Sequence, residues 1–223
     1  MGMSRMFIAL LLSTISLSAI ADVSVVKKEG VKSDQVNSIK IIYDGDITAR
    51  EVIQLISAID EANNEYTNVK EIKLYINSFG GSIESGYLAY EAIKNSSIPI
   101  VTINAAMVGS SATLLYCGGK KRLSLASATF MLHPAATPNT KQEYLKNNEI
   151  EKLSKSVKDA NEKFKYVYQQ CTNIDTESLD KILFSEDYSK YLNIDEAIKF
   201  KLTSAKETGI IPTQISYYIT NKD

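Results

Sequence analysis

The chain is poor in the groups that metals and polyanions require. Its 223 residues hold one histidine and two cysteines. A His- or Cys-rich metal site is thereby excluded, and no metal or organic cofactor is expected. Lysine and arginine number 25 against 26 acidic residues, a net charge of −1. No Arg/Lys stripe with interleaved aromatics is present, which argues against a nucleic-acid partner. Between residues 36 and 210 there is no internal repeat, low-complexity tract or long Gly/Pro/Ser linker. What remains is one ordinary globular domain with a short appendage, long enough to bury a core without metal or disulfide staples. The scarcity of histidine has a further consequence. If the chain is an enzyme with a histidine base, that base is His133.

The appendage is at the start. Arg5 precedes an uncharged apolar run, MFIALLLSTISLSAIA, which ends on the small-x-small step Ala19-Ile20-Ala21. This is the layout of a secretory signal peptide, with cleavage expected after Ala21. The alternative is an uncleaved N-terminal anchor. Either way the body is expected outside the cytoplasm, periplasmic or secreted, with no membrane contact once the leader is cleaved. Cys117 lies in an apolar run and Cys171 on a helical stripe, so both read as buried core thiols rather than as a pair.

The body alternates β-rich runs with helical stretches. Strands are expected over Ser38–Tyr43, Glu71–Asn77, Ile98–Asn104, Arg122–Leu125 and Thr129–His133. The box Thr48-x-x-Glu51 starts a helix carrying Val52, Ile53, Ile56, Ile59 and Ala62 at helical spacing. Further helices are expected over Ser82–Lys94 and Ser110–Cys117. Ile98–Asn104 is almost continuously apolar, as for a strand covered on both faces. Strand–helix–strand units of this length imply right-handed crossovers and a mostly parallel α/β core. The second half differs. Ile150, Leu153, Val157, Ala160, Phe164, Val167 and Cys171 form a seven-residue apolar repeat on one long helix. Such a narrow seam packs on another helix or another subunit. Thr176–Leu183 forms another helix, and Asn193-x-x-Glu196 caps a last one. The expected boundaries are 1–21 for the leader, 22–37 for an N-terminal segment, 38–207 for the domain and 208–223 for a loosely attached polar tail.

Three segments carry chemistry. Ile76-Asn77-Ser78-Phe79-Gly80-Gly81 ends a strand, at the edge where ligands of α/β sheets collect. Its glycines let the backbone turn and expose N–H groups. Gly109-Ser110-Ser111 opens a helix after another apolar strand. There a serine serves either as the helix cap or as a nucleophile beside N–H donors. Phe130-Met131-Leu132-His133-Pro134 ends a β-rich run on the only histidine. Hydroxyl, imidazole and backbone donors are the parts of an acyl-transfer site.

The segment LYINSFGGSIESGYLAYEAIK resembles the Clp peptidase subunit family, in which a strand, Asn-Ser-x-Gly-Gly and a helix follow in the same order. GSSATLLYCGGKKRLSLASATFMLHP resembles that family's serine and histidine segments, and Asp195–Leu202 its closing element. The likeness runs from Ile39 to Leu202. It implies a crotonase-like α/β spiral of strand–helix–strand units with a protruding handle helix, here Ile150–Cys171, and assembly of identical subunits into stacked rings.

The resemblance also implies roles. Ser110, 29 residues after Gly81 and nine before Gly119, is the nucleophile. His133 is the base, and the N–H groups of Gly81 and Ser111 form the oxyanion hole. Where this family has an aspartate stands Ser189, so Asp187, the nearest carboxylate, is expected to orient His133. Val108-Gly109 replaces the family's small-residue step, and the stretch from Ser110 to His133 is shorter than in the housekeeping members. Ser111 therefore stays an alternative nucleophile. Lys120 and Lys121 read as solvated residues rather than as a catalytic lysine.

The expected function is a serine endopeptidase acting on peptides or unfolded protein segments. Outside the cytoplasm it would lack the ATP-driven unfoldase that serves the cytosolic members. The rival is an inactive ring-forming or scaffold subunit that has lost its acid. An acyl-CoA enzyme of the same fold is disfavoured by the serine and histidine segments.

Overall fold

The computed structural model describes residues 23–138 and 144–221. The leader expected over 1–21 lies outside the described residues. Among these residues, no helix is long and apolar enough to cross a membrane.

The strands are β1 (Val23–Lys27), β2 (Ile39–Asp44), β3 (Ile72–Ser78), β4 (Ile100–Gly109), β5 (Lys121–Leu125), β6 (Thr129–Leu132), β7 (Lys190–Leu192), β8 (Ala205–Glu207) and β9 (Ile215–Thr220). The helices are α1 (Ala49–Glu65), α2 (Ile83–Lys94), α3 (Ala112–Cys117), α4 (Asn147–Cys171), α5 (Thr176–Ile182) and α6 (Ile194–Lys199). The strands form one sheet in the order β1-β9-β2-β3-β4-β5-β8, with β6 paired to β4 and β7 paired to β6. The central pairs are parallel, and only β1–β9 and β6–β7 run antiparallel. The crotonase-like α/β expectation is met.

Local chemistry explains the elements. Thr48 accepts the Arg50 N–H at the start of α1 and also meets the Glu51 carboxylate. The buried face of α1 is Val52, Leu55, Ala58, Ile59 and Ala62, while Ile53 is exposed. The expected apolar face is thus rotated, because Leu55 and Ala58 face the sheet where Ile53 does not. Ser82 caps α2 and Asn193 caps α6, the latter with the reciprocal Glu196 bond. These side chains satisfy amide donors that have no partner within the helix.

Two expectations are corrected. The polar tail is part of the core: β9 lies between β1 and β2, with Ile215, Tyr217 and Ile219 buried. Its apolar residues alternate, as a half-buried strand requires, but polar flanks obscure them. The ordered sheet therefore extends on both sides of 38–207. Cys117 and Cys171 are buried as expected, yet they are bonded to each other, with Cα atoms 5.7 Å apart. Packing of α3 on α4 brings the two helix ends within disulfide reach, a proximity that a separation of 54 residues conceals.

The handle helix α4 divides into two halves. Phe164, Val167, Tyr168 and Cys171 are buried in the main core. Toward the N-terminus Ile150 is exposed, and Leu153 and Val157 are half-covered. Arg122 fixes the other end. Its guanidinium donates to the carbonyls of Cys171, Lys201 and Leu202, which terminates α4 against β5 as a basic C-terminal partner does. Lys120 and Lys121 are exposed.

Candidate active site

Three adjacent parallel strands end at one edge of the sheet. β4 is long enough to change partners. Its first half pairs with β5 and its last residues pair with β6, Gly109 opposite Met131. On its other side Ser78 of β3 lies opposite Val108, after a register shift. Asn77 secures the shift. Its Oδ1 accepts the Met107 N–H at 3.2 Å and its Nδ2 donates to Asp44 at 2.7 Å. The residues following β3, β4 and β6 are therefore neighbours: Gly80 and Gly81, Ser110, and His133.

Ser110 adopts φ 52°, in the left-handed region that non-glycine residues rarely enter. Its N–H donates to Met131 O at 3.0 Å, and its carbonyl accepts from Thr113 N at 2.9 Å and Thr113 Oγ1 at 2.6 Å. These bonds hold the sharp turn from strand to helix and leave the hydroxyl part-exposed at the edge. Ser111, the alternative nucleophile, is fully buried, and among the described residues its Oγ has no hydrogen-bond partner. It packs where α3 meets Gly86 of α2. The turn thus presents Ser110 outward and Ser111 inward.

Gly80 has φ +115°, and a Cβ there would lie 2.5 Å from Ser110 Cβ and 3.1 Å from its Oγ. Only glycine fits. The Gly80 N–H donates to the buried Ser78 Oγ at 3.1 Å, which ties the turn to β3. Gly81 makes a bridge with Ile47 that bypasses its own amide: Ile47 N–H donates to Gly80 O, and Ser82 N–H to Ile47 O. Among the described residues, neither the Gly81 N–H nor the Ser111 N–H donates to another group. The Ser111 N–H follows Ser110 directly, and the Gly81 N–H follows Gly80, which abuts Ser110.

His133 Nδ1 lies 3.0 Å from Glu186 Oε1. A carboxylate accepts only, so Nδ1 carries the proton of this bond. Asp187 does not do this. Its carboxylate meets the Ser185 hydroxyl at 3.2 Å, and its N–H caps on the same oxygen. The reason is the short 3-10 turn Glu186–Tyr188. Adjacent residues of such a turn point different ways, and the antiparallel pairing of Leu132 with Lys190 brings Glu186, not Asp187, to the imidazole. Ser189 completes the arrangement by donating to Glu186 Oε2 at 2.8 Å. The Ser189 hydroxyl, and then His133, hold the Glu186 carboxyl below its ordinary value. Among the described residues no hydrogen bond joins Ser110 Oγ to His133.

Two hollows adjoin Gly81, and neither is lined by Ser110 or His133. A cavity of about 570 Å³ is lined by Asp46, Ile47, Thr48, Phe79, Gly80 and Gly81. Another of about 310 Å³ runs from Gly81 and Ile83 to Ala136, Val157 and Ala160. Gly81 borders both. Among the described residues no group of three His, Cys, Asp or Glu side chains is placed to hold a metal ion.

Comparisons with known proteins place the chain in a family. The family model described as Clp protease matches residues 31–212. A proteolytic subunit 3 of an ATP-dependent Clp protease from Rhizobium meliloti is 28% identical over 142 residues, 63% of this chain and 69% of that protein. The corresponding subunit from Pleurastrum terricola is 28% identical over 159 residues, 70% of this chain and 77% of its own. A solved structure of a point mutant of ClpP1 from Listeria monocytogenes has a TM-score of 0.64 at 19% identity, covering 76% of this chain and 91% of that one. With the family model spanning the sheet edge that carries Ser110, His133 and Gly81, the chain belongs to the Clp protease family.

Proposed function

We propose that this chain is a serine endopeptidase that hydrolyses peptides or unfolded protein segments. The observation that carries the reading is the orientation of His133. Its Nδ1 is held by Glu186, and Ser110 is presented on a left-handed turn at the same sheet edge. Substrate lies across the edge, with Gly81 between the two cavities. As His133 Nε2 takes the proton, Ser110 Oγ bonds to the peptide carbonyl carbon. The oxyanion meets the N–H groups of Gly81 and Ser111, preorganised donors in the place where charge develops. Glu186 stabilises the imidazolium without taking its proton. His133 then protonates the leaving amine as the C–N bond breaks. A water then bonds to the acyl carbon as His133 takes its proton, the acyl–Oγ bond breaks, and His133 returns the proton to Ser110 Oγ. The chemistry needs no cofactor.

The rival reading is an inactive ring-forming subunit, with Ser189 standing where the family has its acid; the Glu186 carboxylate on His133 favours the active one. The setting is part of the proposal. The leader-like segment 1–21 and the Cys117–Cys171 bond favour an oxidising compartment outside the cytoplasm, where cleavage runs without an ATP-driven partner. The part-exposed apolar stripe Ile150, Leu153 and Val157 suits contact with further copies in stacked rings.

The test is hydrolysis of fluorogenic peptides and of an unfolded protein by the purified chain without ATP. Cleavage lost in His133→Ala supports the reading. A folded wild type that neither cleaves nor reacts with a fluorophosphonate returns the chain to the inactive class.

A further inference from the structure

The left-handed backbone of Ser110 is a strained state, and such states persist only where the surroundings over-determine them. The Ser110 carbonyl accepts from Thr113 Oγ1 at 2.6 Å, and Thr113 Oγ1 lies 2.7 Å from Tyr168 OH. A hydroxyl has one proton. Thr113 gives its proton to Ser110 O, so the Tyr168 hydroxyl must be the donor to Thr113. Both residues are fully buried. Burial raises the Tyr168 hydroxyl above its ordinary value, with the Thr113 bond acting the other way, which keeps it a neutral donor. Tyr168 stacks on Phe164, with ring centroids 5.6 Å apart, and belongs to the buried half of α4. The far end of the serine helix is tied to the same helix by Cys117–Cys171. Helix α3 is therefore fixed to α4 at both ends, by hydroxyls at the nucleophile and by sulfur at its C-terminus.

We infer that Thr113 and Tyr168 are positioning residues that hold the Ser110 turn, so that the buried half of the handle helix sets the geometry of the nucleophile. The inference rests on the peptidase reading. Neither residue touches substrate; both act through the Ser110 carbonyl. The consequence is separable from stability, because Thr102 makes an equally buried bond, Oγ1 to Tyr116 O at 2.7 Å, that serves α3 away from Ser110.

The experiment measures fluorophosphonate acylation rates of the folded full chain, together with kcat, KM and thermal midpoints. Thr113→Val is expected to slow acylation about tenfold, the scale of one lost hydrogen bond, while Thr113→Ser stays within about twofold of wild type. The loss falls in kcat and leaves KM unchanged. Tyr168→Phe, which keeps the buried shape, slows acylation less than Thr113→Val and carries the test should Thr113→Val fail to fold. Thr102→Val is expected to lower the melting point and leave the acylation rate of the folded protein unchanged. Wild-type rates in both Thr113→Val and Tyr168→Phe overturn the inference, as does an equal rate loss in Thr102→Val. A wild type that does not acylate overturns the peptidase reading and this inference with it, a result distinct from the other two.

Discussion

The two sides of the site are built differently. The nucleophile side is enclosed by the ends of β3, β4 and β6. Gly80 leaves no room for a Cβ, Ser110 is held by three hydrogen bonds, and buried Thr113 and Tyr168 stand behind it. The acid side is a surface turn. Glu186 is 68% exposed and, among the described residues, is held by two side chains, Ser189 and His133. A nucleophile that depends on packing has one place in the fold. An acid that only has to reach an imidazole from a surface turn can come from more than one position along it. In the proposed site the carboxylate on His133 is accordingly that of Glu186 rather than of Asp187.

That contrast ranks the effects of substitution. Gly80→Ala forces a Cβ into Ser110 at a φ that disfavours side chains. Displacing reacting groups by about 1 Å is expected to cost about 100-fold in kcat/KM, read with a peptide substrate. A wild-type rate would show that the enclosed side tolerates displacement. Glu186→Gln removes the charge that orients and stabilises the imidazolium. The type case of that loss is about 10⁴-fold, and partial solvation of Glu186 places the expected drop below it, near 10²-fold. Asp187→Asn, its neighbour, should stay within about twofold. Reversal of those two results would return the acid to Asp187. Ser189→Ala frees one carboxylate oxygen and should cost about three- to tenfold, the scale of one hydrogen bond.

The smallest effect is on stability. Glu186 is held below its ordinary value by Ser189 and then His133. A depressed carboxyl stabilises the fold above its unfolded value, and the contribution disappears as pH falls through the folded value. Exposure and salt keep it under about 1 kcal/mol. Denaturant midpoints of wild type and Glu186→Gln should differ slightly at neutral pH and converge in acid. A difference that grows as pH falls would contradict the assigned direction.

Most of the enclosed side was legible in the sequence. Apolar β2, β3 and β4 stand out against their flanks, and Gly80-Gly81, Ser110 and His133 each follow such a run. Glu186 was not legible, because its direction depends on a 3-10 turn and on the register of β7 against β6. Neither leaves a local pattern, and an adjacent Asp competes for the same reading. The Cys117–Cys171 bond was hidden for the same reason, since it depends on how α3 meets α4. β9 is different. The alternation Ile215, Tyr217, Ile219 is present in the chain, and only the polar surroundings drew attention from it. The inward turn of Ser111 follows from the φ of Ser110, a backbone property that residue types do not display.

Ser110, and not Ser111, is the proposed nucleophile, activated by His133. Intact-mass analysis after fluorophosphonate treatment tests it most directly, comparing wild type, Ser110→Ala, Ser111→Ala and His133→Ala. One adduct is expected on wild type and on Ser111→Ala, none on Ser110→Ala, and strongly slowed labelling on His133→Ala. An adduct that persists in Ser110→Ala and disappears in Ser111→Ala would contradict the geometry, and folded wild type without an adduct would contradict the function.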